Sequence, residues 1–220
     1  MTMTLQDIKK NEEVKQLLRF ADKQLSAIGY TEHSFRHVGL AAKNAGNILK
    51  ELGYDARDVE LARIAGYLHD IGNAVNRVDH AHTGAVLAYD ILIRNGMPVQ
   101  DALEVMLAIG QHDEQTGSAV SAISAALILA DKSDVHRSRV NKKDESTYNI
   151  HDKVNYAVIN SAIEIDNENK IAVLTLEIDT EIVPVMDYFE IFLGRMSMCK
   201  GAARFLGLWF HLDINGTRLL

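Results

Sequence analysis

Gly66-Tyr67-Leu68-His69-Asp70-Ile71-Gly72 sets an imidazole and a carboxylate side by side at the end of an apolar helix, and the chemistry of the chain can be arranged around that pair. Asp55 and Asp58 open this helix, Leu61, Ile64, Ala65, Leu68 and Ile71 form its buried stripe, and Gly72-Asn73 ends it. A His-Asp dipeptide alone is weak evidence, because His112-Asp113 and His151-Asp152 repeat it elsewhere. What surrounds each pair has to decide.

Upstream, Thr4-x-x-Asp7 caps a helix expected to run to Gly29. A second helix, from near Ser34 to Gly53, puts His37 on the face of Ala41 and Ile48, with His33 one turn earlier. Downstream, a helix over about 81–95 is flanked at its start by His80 and His82, and Pro98 begins another that runs into His112. A sixth helix, from about Ser118 to Arg139, is apolar nearly all round until Asp131, which makes it central in the bundle. His151-Asp152 reads as a surface helix cap.

The pattern changes after the polar stretch Val140 to Asn149, which divides the chain into a helical domain, 1–140, and a C-terminal α+β subdomain, 141–220. In the second part, 154–166 and 170–179 read as a hairpin turning at Asn167-Glu168-Asn169. A long amphipathic helix follows, with Met186, Phe189, Phe192, Met196 and Met198 as its packing stripe, and then a third strand over Leu208 to Ile214. The expected class is α+β: a mainly helical bundle followed by a small three-stranded antiparallel sheet with one long helix. An edge strand in such a sheet invites pairing between chains, so a homodimer is expected as an option.

Composition narrows the function. The 220 residues are 47% hydrophobic and 24% charged, the balance of a globular chain with a real core. A net charge of -7 opposes non-specific adhesion to nucleic acid or anionic lipid, where positive charge supplies most of the affinity. The first residues lack the basic start and apolar run of a secretory signal, and no apolar stretch is long enough to span a bilayer, so a cytoplasmic setting is expected. With Cys199 as the only cysteine, neither an intrachain disulfide nor a cysteine-based zinc site can form.

Metal-competent side chains gather at helix ends: His37, His69-Asp70, His80 or His82, His112 and Asp131. Taken singly, an inward histidine is more often a hydrogen-bonded core residue than a ligand. Taken together, imidazoles and carboxylates pointing into one bundle stay unmatched without a cation among them.

The local settings Arg36-His37-Val38, Leu68-His69-Asp70-Ile71-Gly72 and Leu129-Ala130-Asp131-Lys132 resemble the HD superfamily of metal-dependent phosphohydrolases over roughly residues 30–140. His80, four residues before Gly84-Ala85, and His112 resemble the subset with two metals, such as the bacterial symmetrical dinucleoside tetraphosphatases. No Gly-Tyr-Pro follows His112, unlike the cyclic dinucleotide phosphodiesterases of the superfamily.

The resemblance implies one ion held by His37, His69, Asp70 and Asp131, and a second by His80 and His112 with Asp70 shared, His82 competing with His80. Two divalent ions are implied, iron or manganese first, with zinc, cobalt or nickel also compatible with nitrogen and oxygen donors. Asp70 and Lys132 are then the candidate catalytic residues, and Lys132, His82 and Arg137 the candidate contacts to a small phosphorylated, nucleotide-like substrate. Arg139, Lys142 and Lys143 extend the basic run. The competing reading is a non-catalytic metal-binding or sensory module whose C-terminal sheet binds a partner or dimerises.

Overall fold

The computed structural model describes residues 3–30, 35–140 and 144–219. His33, the expected helix start at Ser34, and Lys142 and Lys143 lie outside the described residues.

The first expected helix is two: α1, Leu5–Lys10, and α2, Glu12–Ala27. Asn11 breaks it, because its side chain accepts from the Val14 amide and so caps a new helix instead of continuing the old one. Four helices follow in order: α3, Phe35–Glu51; α4, Ala56–Leu68; α5, His80–Arg94; and α6, Val99–Gly110. A 3-10 turn, Ile71–Ala74, separates α4 from α5. The central helix, α7, is Ala122–Lys132, shorter at both ends than its apolar run suggested. A capping box between Ser121 and Ser124 fixes its start, and Ser133, whose hydroxyl donates to the Ala130 carbonyl, ends it. Every residue from Ile123 to Lys132 is buried, as a helix apolar on all sides must be.

The C-terminal part departs further from expectation. Residues 154–157 belong to a helix, α8, Ile150–Ala157, so the hairpin is β1, Val158–Asp166, and β2, Ile171–Ile178. Asp152 is indeed part of a helix cap, with Asn149, but it is buried while His151 is exposed. The long helix is α9, Val185–Phe205, followed by β3, Trp209–Ile214, and a two-residue β4, Thr217–Arg218. Met186 is exposed on α9, so the packing stripe of that helix begins later than the sequence suggested.

The sheet has four strands in the order β1-β2-β3-β4, and β2 pairs with β3 in parallel, which corrects the expected three-stranded antiparallel sheet. The reason is the connection. A helix of 21 residues between β2 and β3 carries the chain back along the sheet, so the next strand runs the same way as the last. Register then matches chemistry: Ala172 pairs with Phe210, Leu174 with Leu212 and Leu176 with Ile214, all buried on the face covered by α9.

One hydrophobic cluster runs through both parts of the chain, from Val14 and Leu18 through α7 to Phe192, Met196 and Leu212. The helix α9 packs against α7, and so places C-terminal side chains beside the end of the helix that carries Asp131. Among the described residues no helix is long and apolar enough to cross a membrane.

Candidate metal centre

Two glycines in the opening stretch bring the site together. A Cβ on Gly66 would sit 2.7 Å from the Ala42 backbone, so only glycine lets α4 approach α3 closely enough to put His69 beside His37. A Cβ on Gly72 would collide with the His80 carbonyl and the Gly84 amide, so the same economy of space seats the start of α5 against the turn that follows Asp70.

Each helix end then delivers a side chain to one buried point. His37 comes from the first turn of α3, His69 caps α4, Asp70 precedes the 3-10 turn, His80 opens α5, His112 follows α6, and Asp131 lies in the last turn of α7. All are buried, from 0% exposure for His69 to 9% for Asp131. His37 Nε2 lies 3.2 Å from His69 Nε2 and 3.2 Å from Asp131 Oδ1. His80 Nε2 lies 3.1 Å from His112 Nε2. Asp70 stands between these pairs, its Oδ2 3.5 Å from His37 and 3.3 Å from His69 and its Oδ1 3.8 Å from His80. Three overlapping groups could each hold an ion: His37, His69 and Asp70; His69, His112 and Asp131; and Asp70, His80 and His112.

The hydrogen bonds on the far side of each ring say what the near side is. His37 Nδ1 is 2.7 Å from Asp134 Oδ2, His69 Nδ1 2.9 Å from the Gly66 carbonyl, His80 Nδ1 3.1 Å from the Arg77 carbonyl and His112 Nδ1 2.6 Å from the Ile109 carbonyl. Those oxygens can only accept, so each Nδ1 can present an N–H to its oxygen and each Nε2 is turned inward. Nitrogen thus faces nitrogen and carboxylate oxygen across the cluster, with Arg77 Nη1 also 2.9 Å from His80 Nε2. A divalent cation fits this donor set, and the nitrogen and oxygen ligands suit iron, manganese, cobalt, nickel or zinc.

The electrostatics agree. Burial works against a charged ring at His69, yet the Asp70 and Asp131 carboxylates outweigh it and push its pKa up to about 10, so the cluster draws positive charge to itself. Burial, then the positive neighbours His69 and Lys132, hold His112 well below its usual value. Burial would raise Asp131, but Lys132 and His69 more than offset it and keep the carboxyl well below the usual range.

Groups to which the sequence reading gave no part in the cluster support the ligands from behind. Asp134 is 2% exposed and receives two hydrogen bonds from the Arg36 guanidinium as well as the His37 contact. Arg139, also buried, donates to the Asp134 carbonyl at 2.7 Å. Asn73 donates to Asp70 Oδ1 at 2.8 Å and fixes that carboxylate's plane. Spacing held a clue to Asp134, which lies one helical turn beyond Asp131. Nothing in the sequence pointed to Asn73.

The proposed substrate contacts separate. Lys132 is buried, with Nζ 2.8 Å from Asp131 Oδ2 and 3.5 Å from Glu114 Oε1. His82 is 55% exposed and faces Asp79 at 3.6 Å, outside the cluster that His80 joins. Arg137 stacks its guanidinium over Tyr156, 5.5 Å from the ring centroid, and turns toward α8. Beside the cluster opens a cavity of about 400 Å³ whose lining includes Arg77, Glu114, Arg139, Asn155 and Arg195. A smaller recess of about 230 Å³ shares Arg77 with it and reaches His80.

Several known proteins are similar to this chain. The HD domain family matches residues 30–144. An uncharacterized protein of Methanocaldococcus jannaschii, MJ1020, is 29% identical over 160 residues, 62% of this chain and 61% of that protein. Ribonuclease Y of Lawsonia intracellularis is 32% identical over 119 residues, 53% of this chain and 21% of that protein. The chain therefore spans about three fifths of the first relative and about a fifth of the second. The crystal structure of a predicted HD superfamily hydrolase from an uncultured Thermotogales bacterium shares 27% identity, with a TM-score of 0.45 over 61% of this chain and 75% of that one. With the matched segment holding every member of the buried cluster, the chain belongs to the HD domain family.

Proposed function

We propose that this protein is a metal-dependent phosphohydrolase that cleaves a phosphoester or phosphoanhydride bond of a small, nucleotide-like substrate. The inward Nε2 atoms of four histidines gathered with two buried carboxylates, each Nδ1 against an oxygen on the far side, carry the reading. Divalent ions held there would polarise a water and neutralise phosphoryl oxygens.

The chain's own residues have distinct parts in this reading. His37, His69, Asp70 and Asp131 would hold one ion, and His80 and His112 would hold a second together with Asp70, the arrangement of the two-metal subset. Asp70 offers one carboxylate oxygen to each histidine pair, and Asn73 keeps it turned that way. Lys132 sits against Asp131 Oδ2 at 2.8 Å, where its ammonium can meet a phosphoryl oxygen without leaving the site. No serine or cysteine nucleophile is needed, and Cys199 is buried and pushed up to about 12 by that burial, which removes it as a candidate. A relative called Ribonuclease Y raises RNA as a substrate, but the net charge of -7 favours a small molecule over a polyanion.

Protein purified without added metal is expected to retain iron, manganese or a similar ion by elemental analysis. It should hydrolyse members of a panel of nucleotides, dinucleoside polyphosphates and phosphomonoesters, and lose turnover on chelation. Asp70→Ala should lower kcat/KM by more than about 100-fold, beyond the range for groups that only support a ligand, with the far-ultraviolet circular dichroism unchanged. Retained metal with no turnover on any member of the panel would instead favour a sensory or structural role.

A further inference from the structure

The smaller recess touches the cluster directly, for His80 is part of its lining, together with Tyr30, Arg77, Asp79, Asp113 and Thr116. Arg77 is its cation, and it lies three residues before His80 at the turn into α5.

Arg77 holds His80 by both its backbone and its side chain. Its carbonyl lies 3.1 Å from His80 Nδ1, and its Nη1 lies 3.1 Å from Nδ1 and 2.9 Å from Nε2. A guanidinium nitrogen that close to both ring nitrogens lies over the face of the imidazole, because at the ring edge it would collide with the carbon between them. The edge of Nε2 therefore still points to His112 and Asp70. The same guanidinium stands over Tyr30, its carbon 5.5 Å from the ring centroid. Two rings thus hold the plane of the fork.

What the fork lacks is an anion. Arg36, Arg57, Arg94, Arg139 and Arg195 each pair with a carboxylate, whereas Arg77 has no ion pair among the described residues. The two carboxylates of the recess are engaged elsewhere: Asp79 faces His82 at 3.6 Å, and Asp113 Oδ2 accepts from the Gln115 amide at 3.1 Å and the Thr116 hydroxyl at 3.5 Å. An ion on His80 would add a second positive charge beside the guanidinium. Two cations so placed repel each other unless an anion lies against both, and a phosphoryl group offers one oxygen to an ion and others to an arginine fork.

We propose that Arg77 binds the phosphoryl group of the substrate at the His80 end of the recess, while Lys132 serves the Asp131 end of the cluster. The proposal rests on the phosphohydrolase reading above and adds to it a contact residue and a place for the reacting group. At about 230 Å³ the recess admits a phosphoryl group with a short substituent, and the remainder of a nucleotide would extend beyond its mouth.

The probe is inorganic phosphate, bound to the full, metal-loaded chain and followed by equilibrium dialysis, with the metal content of each sample measured alongside. Arg77→Gln should weaken phosphate binding about tenfold while retaining at least as much metal as the unaltered protein, and Arg77→Lys should recover part of the loss. The KM for p-nitrophenyl phosphate should rise by a similar factor in Arg77→Gln. If that variant melts early, Arg77→Met, which keeps the apolar stem, replaces it. Equal phosphate affinity in the unaltered and substituted proteins overturns the proposal. So does a fall in phosphate binding that only follows loss of metal, which would make Arg77 a support for His80 alone. Phosphate bound through Arg77 in a protein that hydrolyses nothing on the panel overturns the phosphohydrolase reading, whereas unchanged phosphate affinity in a protein that does hydrolyse overturns the assignment of Arg77, so the two fail separately.

Discussion

The two histidine pairs at the centre differ in what stands behind them. His37 leans on a carboxylate, Asp134, which is gripped by Arg36 and lies near Arg139, and its partner His69 lies between Asp70 and Asp131. His80 has no carboxylate behind it: the Arg77 carbonyl lies 3.1 Å from its Nδ1, and the Arg77 guanidinium sits 3.1 Å from that nitrogen and 2.9 Å from Nε2. His112 likewise has a carbonyl behind it, with Lys132 among the charges that hold its pKa down. A carboxylate behind an imidazole makes it a better donor, whereas a nearby cation opposes a second one. On the two-ion reading proposed above, the half around His37 and His69 would hold its ion more firmly than the half around His80 and His112, with Asp70 common to both.

Stepwise removal of metal by a chelator should show this as two events, read by elemental analysis of the retained protein. His80→Ala should erase the first, easier event and leave the later one, and two unchanged events in that variant would break the comparison. Asp134→Asn should act on the other half, weakening the later event by about 10- to 100-fold, the range for a group that orients a ligand without touching the metal. Because Asp134 is also the partner of buried positive charge, its loss should lower the melting temperature as well. Metal retention must therefore be measured well below the variant's transition.

How much of this could be read in advance follows from the range of the signals. Helical period and capping residues are local, and they located α3 to α6 within a few residues, with the side chains that gather at their ends, but overran the end of α7 by seven. Asn11 and Ser133 show the limit of that reading, since a single side chain competing for backbone amides or carbonyls stops a helix that an apolar pattern alone would extend. The parallel pairing of β2 with β3 depends on where a helix returns the chain, which no strand's own alternation contains. Asp134 was read as an ordinary polar residue of a helix end, and only its contact with His37, across 97 residues, gives it meaning.

Smaller changes sharpen the difference between the halves. Arg77→Gln removes the cation beside His80, so the easier metal event should move toward tighter binding, opposite in sign to the other substitutions. Arg77 is only half-buried and its charge is screened, which limits the gain to a few-fold. Looser binding in that variant would mean that the guanidinium positions His80 instead of repelling its ion.

His82 supplies the control for the weaker half. It sits two residues beyond His80 on α5, a separation that turns a helical side chain well away from the first, and it is 55% exposed beside an Asp79 that is itself 68% exposed. His82→Ala should leave both metal events in place and change stability by less than about 0.5 kcal/mol, the usual size for a surface position without special contacts. A shift in the easier event alone would put His82 back in competition with His80 and move the second ion outward, toward the mouth of the recess that His80 lines.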